Sequence, residues 1–315
     1  MIVIILTSIS SILNAQDGNY NSLEKALLSP ENVTTLTLVA ADDQKVYESL
    51  GKFVNLQRLQ IGSSGLTHLP ESIGDLRKLN YINLRLNRIS ALPESIGNLE
   101  NLDTLILTFN TLTELPESIG NLQNLQFLDL AHNRLTFLPE AFFKLKKLTY
   151  LSLYGNRFEQ LSDELGELKN LENLELAHNR IEVLPKSIGK LSKLNRLTVS
   201  TNNLKFLPVE VGELSQLTEL SVSDNLIKQL PESIGQLHYL KELFVRGNYL
   251  TEFPQFICKM KSIEYISFSE NKITSVPICV RDLSNLRHLG LKECSIPEKE
   301  RDKIIKQLPN CEVSF

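Results

Sequence analysis

Apolar and polar positions alternate along this chain in a fixed order. From Leu79 to Leu99 the order is L-x-x-I-x-L-x-x-N-x-I-x-x-L-P-x-x-I-G-x-L. It returns every 23 residues, so that asparagine recurs at Asn87, Asn110, Asn133, Asn156, Asn179, Asn202, Asn225, Asn248 and Asn271. Repetition at a period of this length predicts a solenoid, in which each unit packs only on its neighbours. At the start of a unit the apolar period is two. Ile82 and Leu84 point one way while Tyr81, Asn83 and Arg85 point the other, which predicts a short strand. Each asparagine follows its strand, where an amide that both donates and accepts can satisfy turn groups of the backbone. The rest of the unit, Leu92-Pro93-Glu94-Ser95-Ile96-Gly97, places Pro ahead of a single turn that Gly closes. That pattern predicts a 3₁₀ turn rather than a long helix. Glu71, Glu94, Glu117, Glu140 and Glu232 follow the prolines and read as carboxylates serving exposed N–H groups, with an acidic binding stripe as the alternative.

Strands stacked about 4.8 Å apart, opposite bulkier turns, predict an arc with the parallel sheet on its concave side. Thirteen strands would line about 60 Å of wall. The expected fold class is therefore an α/β solenoid of horseshoe form, with 3₁₀ or helical turns on the convex side and caps at both ends. Residues 16–41 read as the first cap, with a helix over Ser22–Leu28 and a strand from Val33. The repeats run over 42–294, with Ser64 and Cys294 at the terminal asparagine positions. In residues 295–315 the capping-box pattern Ser295-x-x-Glu298 opens a helix to Leu308, and Cys311 takes an inward strand position. Residues 1–15 read as a signal peptide, an apolar run ending at Ala15, although no Lys or Arg precedes it. A truncated start or a buried N-terminal segment is the alternative. The run is too short to span a bilayer.

The unit resembles the 23-residue leucine-rich repeats of bacterial proteins, notably spirochaetal ones, and is similar to Ras-suppressor and plant Ras-group-related intracellular repeats. The segments Asn14-Ala15-Gln16 and Leu308-Pro309-Asn310-Cys311-Glu312 look like those of Bacteroidetes proteins of this kind. The resemblance covers residues 33–315. It implies a protein-binding scaffold with no shared catalytic residue and no cofactor.

Composition narrows the function further. The net charge of -4 argues against nucleic acid as a partner. His132 and His178 occupy one repeat position, as do Asp129 and Glu175, but two units separate each pair. At strand spacing that is roughly 10 Å, too far to share a metal ion. Neither an enzyme nor a metal site is expected. The four cysteines include no C-x-x-C pair. Cys258 and Cys279, on neighbouring turns, read as free thiols, with pairing as the alternative in an exported chain.

Function is sought in the letters that vary. The outward strand positions of four consecutive units hold Tyr81, Arg85, Ile106, Phe109, Phe127, Asp129, His132, Tyr150 and Tyr154. Aromatic side chains on successive rungs would touch and could simply stabilise the sheet. They also supply the residue types that dominate protein interfaces. The later rungs, with Asn173, Glu175, Arg196, Glu219, Asp224, Glu242, Phe244, Arg246, Tyr265 and Glu270, are polar and net acidic. The expected function is recognition of a protein or peptide on the concave face by an exported monomer. The alternatives are a cytoplasmic signalling scaffold of the Ras-suppressor type and a surface adhesin for host protein or glycan.

Overall fold

The computed structural model describes residues 18–41 and 43–315, without the side chain at position 43. The signal-peptide reading of residues 1–15 lies outside the described residues. The chain divides into two compact units, one ending at Leu148 and one starting at Thr149.

The first unit holds strands β1 (Asn19–Tyr20), β2 (Thr35–Val39), β3 (Arg58–Gly62), β4 (Tyr81–Asn83), β5 (Thr104–Ile106) and β6 (Phe127–Asp129), paired in that order and all parallel. From β2 onward the partners are 23 residues apart, as Tyr81↔Thr104 and Thr104↔Phe127 show. Two short helices belong to this unit, α1 (Leu23–Ala26) and α2 (Asp43–Ser49). Ser22 caps α1 by accepting the Lys25 N–H at 3.4 Å. The helix is shorter than the Ser22–Leu28 expected, because Pro30 opens a separate 3₁₀ turn, Pro30–Asn32.

The second unit holds β7 (Tyr150–Ser152), β8 (Asn173–Glu175), β9 (Arg196–Thr198), β10 (Glu219–Ser221), β11 (Glu242–Phe244), β12 (Tyr265–Ser267), β13 (His288–Gly290) and β14 (Glu312–Ser314), again parallel and in chain order. Fourteen strands are thus described instead of thirteen, since Asn19–Tyr20 adds one ahead of β2. Helix α3 (Glu298–Gln307) begins at Glu298 with Pro297 before it, and no side chain caps it. The capping box at Ser295 is therefore not formed. The pairing of β14 also corrects the reading of Cys311. Val313 pairs with Leu289 and takes the inward place, while Cys311 precedes the strand.

The core of each unit is a stack of leucines and isoleucines. Ile82, Leu105 and Leu128 in the first unit and Leu174, Leu197 and Leu220 in the second occupy one repeat position, and all are fully buried. The asparagine ladder does what its chemistry allows. Asn110 Nδ2 donates to Leu84 O at 2.9 Å in the repeat before and to Leu107 O at 3.0 Å in its own, while its Oδ1 accepts the Ile89 N–H at 3.0 Å. One amide thereby satisfies three backbone groups that would otherwise be buried unpaired.

The 3₁₀ turns follow the prolines as expected, for example Glu94–Asn98 after Pro93. Their carboxylates act one repeat further on than expected. Glu71, Glu94 and Glu117 accept the N–H groups of Ser95, Ser118 and Ala141 at 3.1–3.2 Å, so each caps its neighbour's turn. Successive turns also approach closely. A Cβ on Gly97 would lie 2.5 Å from the Ser118 carbonyl oxygen and 2.7 Å from Ser118 Cβ. Where Phe142-Phe143 replaces Ile-Gly, both rings are buried and meet edge-on at 5.7 Å. Ser162, in the place of Pro, accepts the Glu164 N–H at 3.1 Å.

Candidate functional site

The residues available for recognition are the outward positions of the strands and of the turn just after each strand. The residue preceding each asparagine has a positive φ in both units, for instance Leu86, Phe109, His132, His178 and Asp224, with Gly155 and Gly247 in two repeats. This left-handed bend turns the asparagine inward. It lifts the preceding side chain out of the sheet edge, at the cost non-glycine residues meet in that region. Alternation within a strand does not predict this, and it governs how Phe109 and His132 are presented.

In the first unit Tyr81 on β4 is half-buried, and the Arg58 guanidinium of β3 lies over its ring at 3.9 Å from the centroid. The Tyr81 hydroxyl accepts from Asn83 Nδ2 at 3.3 Å, and Asn83 Oδ1 accepts the Arg85 N–H at 3.2 Å. Arg85 is exposed. Sequence reasoning missed Arg58 and Asn83, which hold the predicted Tyr81 and Arg85 in place. Their signal was positional, since Arg58 stands one rung before Tyr81 in the same column.

Ile106 on β5 is half-buried, and Phe109 beyond it is 48% exposed. The Phe109 and His132 rings stack in parallel, 4.1 Å between centroids. Phe127 and Asp129 on β6 are half-buried, and Asp129 accepts the Ala131 N–H at 2.9 Å. Tyr81 and Phe127 are not neighbours, because Thr104 occupies the rung between them. Two groupings are seen in the first unit, Arg58–Tyr81–Asn83–Arg85 and the stacked Phe109–His132 pair.

Tyr150 and Tyr154 stand in the second unit. Tyr150 pairs with Asn173 across the ladder, and the Tyr154 ring lies 4.8 Å from His178. From there, Phe244 and Tyr265 aside, polar groups at outward positions pair with one another. Ser152 donates to Glu175 at 3.2 Å, Arg196 reaches Glu219 at 2.8 Å, and Arg246 Nε donates to Glu270 at 2.9 Å. Burial pushes the Glu219 carboxyl above the usual range, and Glu242 and Glu175 push the same way against the opposing Arg196.

Cys258 and Cys279 form a disulfide, with Cα atoms 5.6 Å apart, which corrects the reading of both as free thiols. The positional signal for it was present. The two lie 21 residues apart, in the same places as Gly97 and Ser118, where neighbouring turns come closest. Cys294 and Cys311 are free. Burial raises the Cys294 thiol and pushes Cys311 up to about 11, so neither is a ready thiolate at neutral pH. Among the described residues no group of His, Cys, Asp and Glu is placed to hold a metal ion. None of their helices is long and apolar enough to cross a membrane.

Parallel strands on one side, 3₁₀ turns on the other and an asparagine ladder between them define a class of repeat solenoid, and the comparisons give the family. The leucine rich repeat model matches residues 54–112, 100–158 and 238–296, more than half of the chain, and a leucine-rich repeat region model matches 144–225. The chain belongs to the leucine-rich repeat family. Among solved structures it is similar to a leucine-rich repeat protein of Leptospira interrogans, at 29% identity and a TM-score of 0.67 over 94% of this chain and 99% of that one. It also resembles an internalin, InlF, of Listeria monocytogenes, at 21% identity and a TM-score of 0.81 over 91% and 81% of the two chains, a likeness of fold. A plant peptide hormone receptor, RGFR1, solved in complex with RGF2, is 27% identical with a TM-score of 0.69, over 90% of this chain and 55% of the receptor. Curated proteins provide no match.

Proposed function

We propose that this chain is a non-catalytic recognition scaffold that binds a protein or peptide on the outward face of its strands. The first unit carries the contacts, through Tyr81, Arg85, Ile106, Phe109, Phe127, Asp129 and His132. The observation that carries this reading is Phe109. Its large apolar ring is stacked on His132 yet remains half exposed, on the left-handed bend that the repeats share. Leu86, at the same repeat position, is 41% exposed in the same conformation. Aromatic residues held rigidly in this way give large contact area at little further loss of freedom. A plant receptor of similar fold, described as a peptide hormone receptor, supports a peptide or protein as the partner class.

The chain acts outside the cytoplasm on this reading. The Cys258–Cys279 disulfide supports export, since such bonds persist in oxidising compartments. Affinity capture with the full chain from bacterial and host extracts tests the binding face. Phe109→Ala with Phe127→Ala is expected to weaken the captured partner's binding by more than about 2 kcal/mol, the scale of interface hot spots. Unchanged affinity in a folded double variant would refute the site.

A further inference from the structure

We infer that the partner segment seated on the first unit is a peptide stretch with an acidic side chain beside apolar ones. Its carboxylate lies against Arg58 and Arg85, and its apolar side chains lie along Ile106 and Phe109. This deepens the binding-face reading above and rests on it. The two units treat arginine differently. In the second unit Arg196 and Arg246 are each answered by a carboxylate one repeat on, Glu219 and Glu270. In the first unit no carboxylate among the described residues pairs with Arg58 or Arg85, and both are exposed. Across the outward positions of β2 to β6 the only described carboxylate is Asp129, already engaged by the Ala131 N–H.

One guanidinium and the backbone of the other residue are held in place. Arg58 is laid flat on Tyr81, and the Arg85 backbone is tied through Asn83 to the Tyr81 hydroxyl. A guanidinium stacked by its face keeps its N–H edge open, and that fork matches a carboxylate. Two exposed like charges on neighbouring repeats, with no carboxylate partner among the described residues, are complementary to an anionic group. The apolar rungs next to them decide what bears it. Ile106 and Phe109 would meet only water or charge under a long polyanion, and the chain's net charge of -4 repels one. An acidic residue followed by aliphatic or aromatic residues satisfies both clusters at once.

The probe is a phage-displayed library of random peptides, panned against the full chain. Enriched sequences are expected to place Asp or Glu beside aliphatic or aromatic residues. A synthetic peptide of the enriched sequence should lose about tenfold in affinity to R58Q/R85Q, two exposed charge pairs being removed, and should bind more weakly as salt rises. R58K/R85K should restore the salt dependence, and R196Q in the second unit should leave affinity unchanged. Enrichment of basic or purely apolar peptides, or equal affinity for R58Q/R85Q with its melting temperature intact, overturns the inference. If such peptides still lose affinity to Phe109→Ala with Phe127→Ala, the binding-face reading stands alone. Peptides insensitive to both pairs, or a library that yields no binder, overturn both.

Discussion

The first unit leaves Arg58 and Arg85 without a carboxylate among the described residues, whereas the second answers Arg196 with Glu219 and Arg246 with Glu270. The scaffolds beneath are alike, with parallel strands of two to five residues and asparagines bridging neighbouring repeats. The faces differ in what they leave for a partner. Polar groups that satisfy one another give a solvated wall with little to offer, since an incoming group must first displace an existing pair. An unpaired cation beside exposed apolar rings offers both charge and area. The same repeat can therefore carry an inert surface or an interactive one, and the choice lies in a few outward positions.

The contrast between the units is broken most sharply at the disulfide, which belongs to the second unit alone. Replacing both Cys258 and Cys279 by Ser should cost roughly 3 kcal/mol, for a closed loop of this size. Denaturant unfolding measures the total, and hydrogen exchange should place the loss in the turns Gln255–Lys259 and Ile278–Asp282. A variant as stable as the parent would mean that the cross-link adds nothing to the packing already present. Its counterpart in the first unit is the uncrosslinked contact of Gly97 with Ser118. Gly97→Ala should cost about 1–3 kcal/mol by crowding the next turn. Ser118→Ala should fall within about 0.5 kcal/mol of the parent, because the Ser118 hydroxyl is buried without a partner among the described residues. If the two substitutions cost the same, close approach is not what that column selects.

A smaller effect separates the faces by pH. Burial and the neighbouring Glu242 and Glu175 raise the Glu219 carboxyl, so folding favours its protonated form. The contribution to stability is then greatest below the ordinary carboxylate range and falls as pH rises through and above it. Glu219→Gln should remove that fall. Its melting temperature relative to the parent should rise between pH 4 and pH 7 (about the span of carboxylate titration). A difference that stays constant or reverses would show that Arg196 outweighs burial at this site.

Much of the fold was legible in the sequence because the repeat states its own geometry. Asn87 and its successors marked the turn, Pro93 marked the 3₁₀ segment, and Ile82 with Leu84 marked the buried side of the strand. What escaped were features set by the offset between repeats. Glu94 caps the turn at Ser118 and not its own, and Cys258 meets Cys279, because turns make contact at separations of 24 and 21 residues rather than 23. The left-handed bend at Phe109 and His132 escaped because neither residue type announces a positive φ. At the chain's end, α3 changes the spacing, and the inward place fell to Val313 instead of Cys311. Of the candidate site, the residues Tyr81 to Tyr154 were visible as variable letters. Their grouping was not, since Thr104 parts Tyr81 from Phe127 and Arg58 joins Tyr81 from the preceding rung.

Recognition, on the reading proposed above, resides on the outward face of the first unit. Calorimetric titration of one captured partner against two matched variants tests it most directly. Phe109→Ala with Phe127→Ala alters the first unit, and Phe244→Ala with Tyr265→Ala alters outward positions of the second. The first pair is expected to weaken binding by more than about 2 kcal/mol and the second to leave it within about 0.5 kcal/mol. Loss of binding with the second pair and none with the first would contradict that assignment.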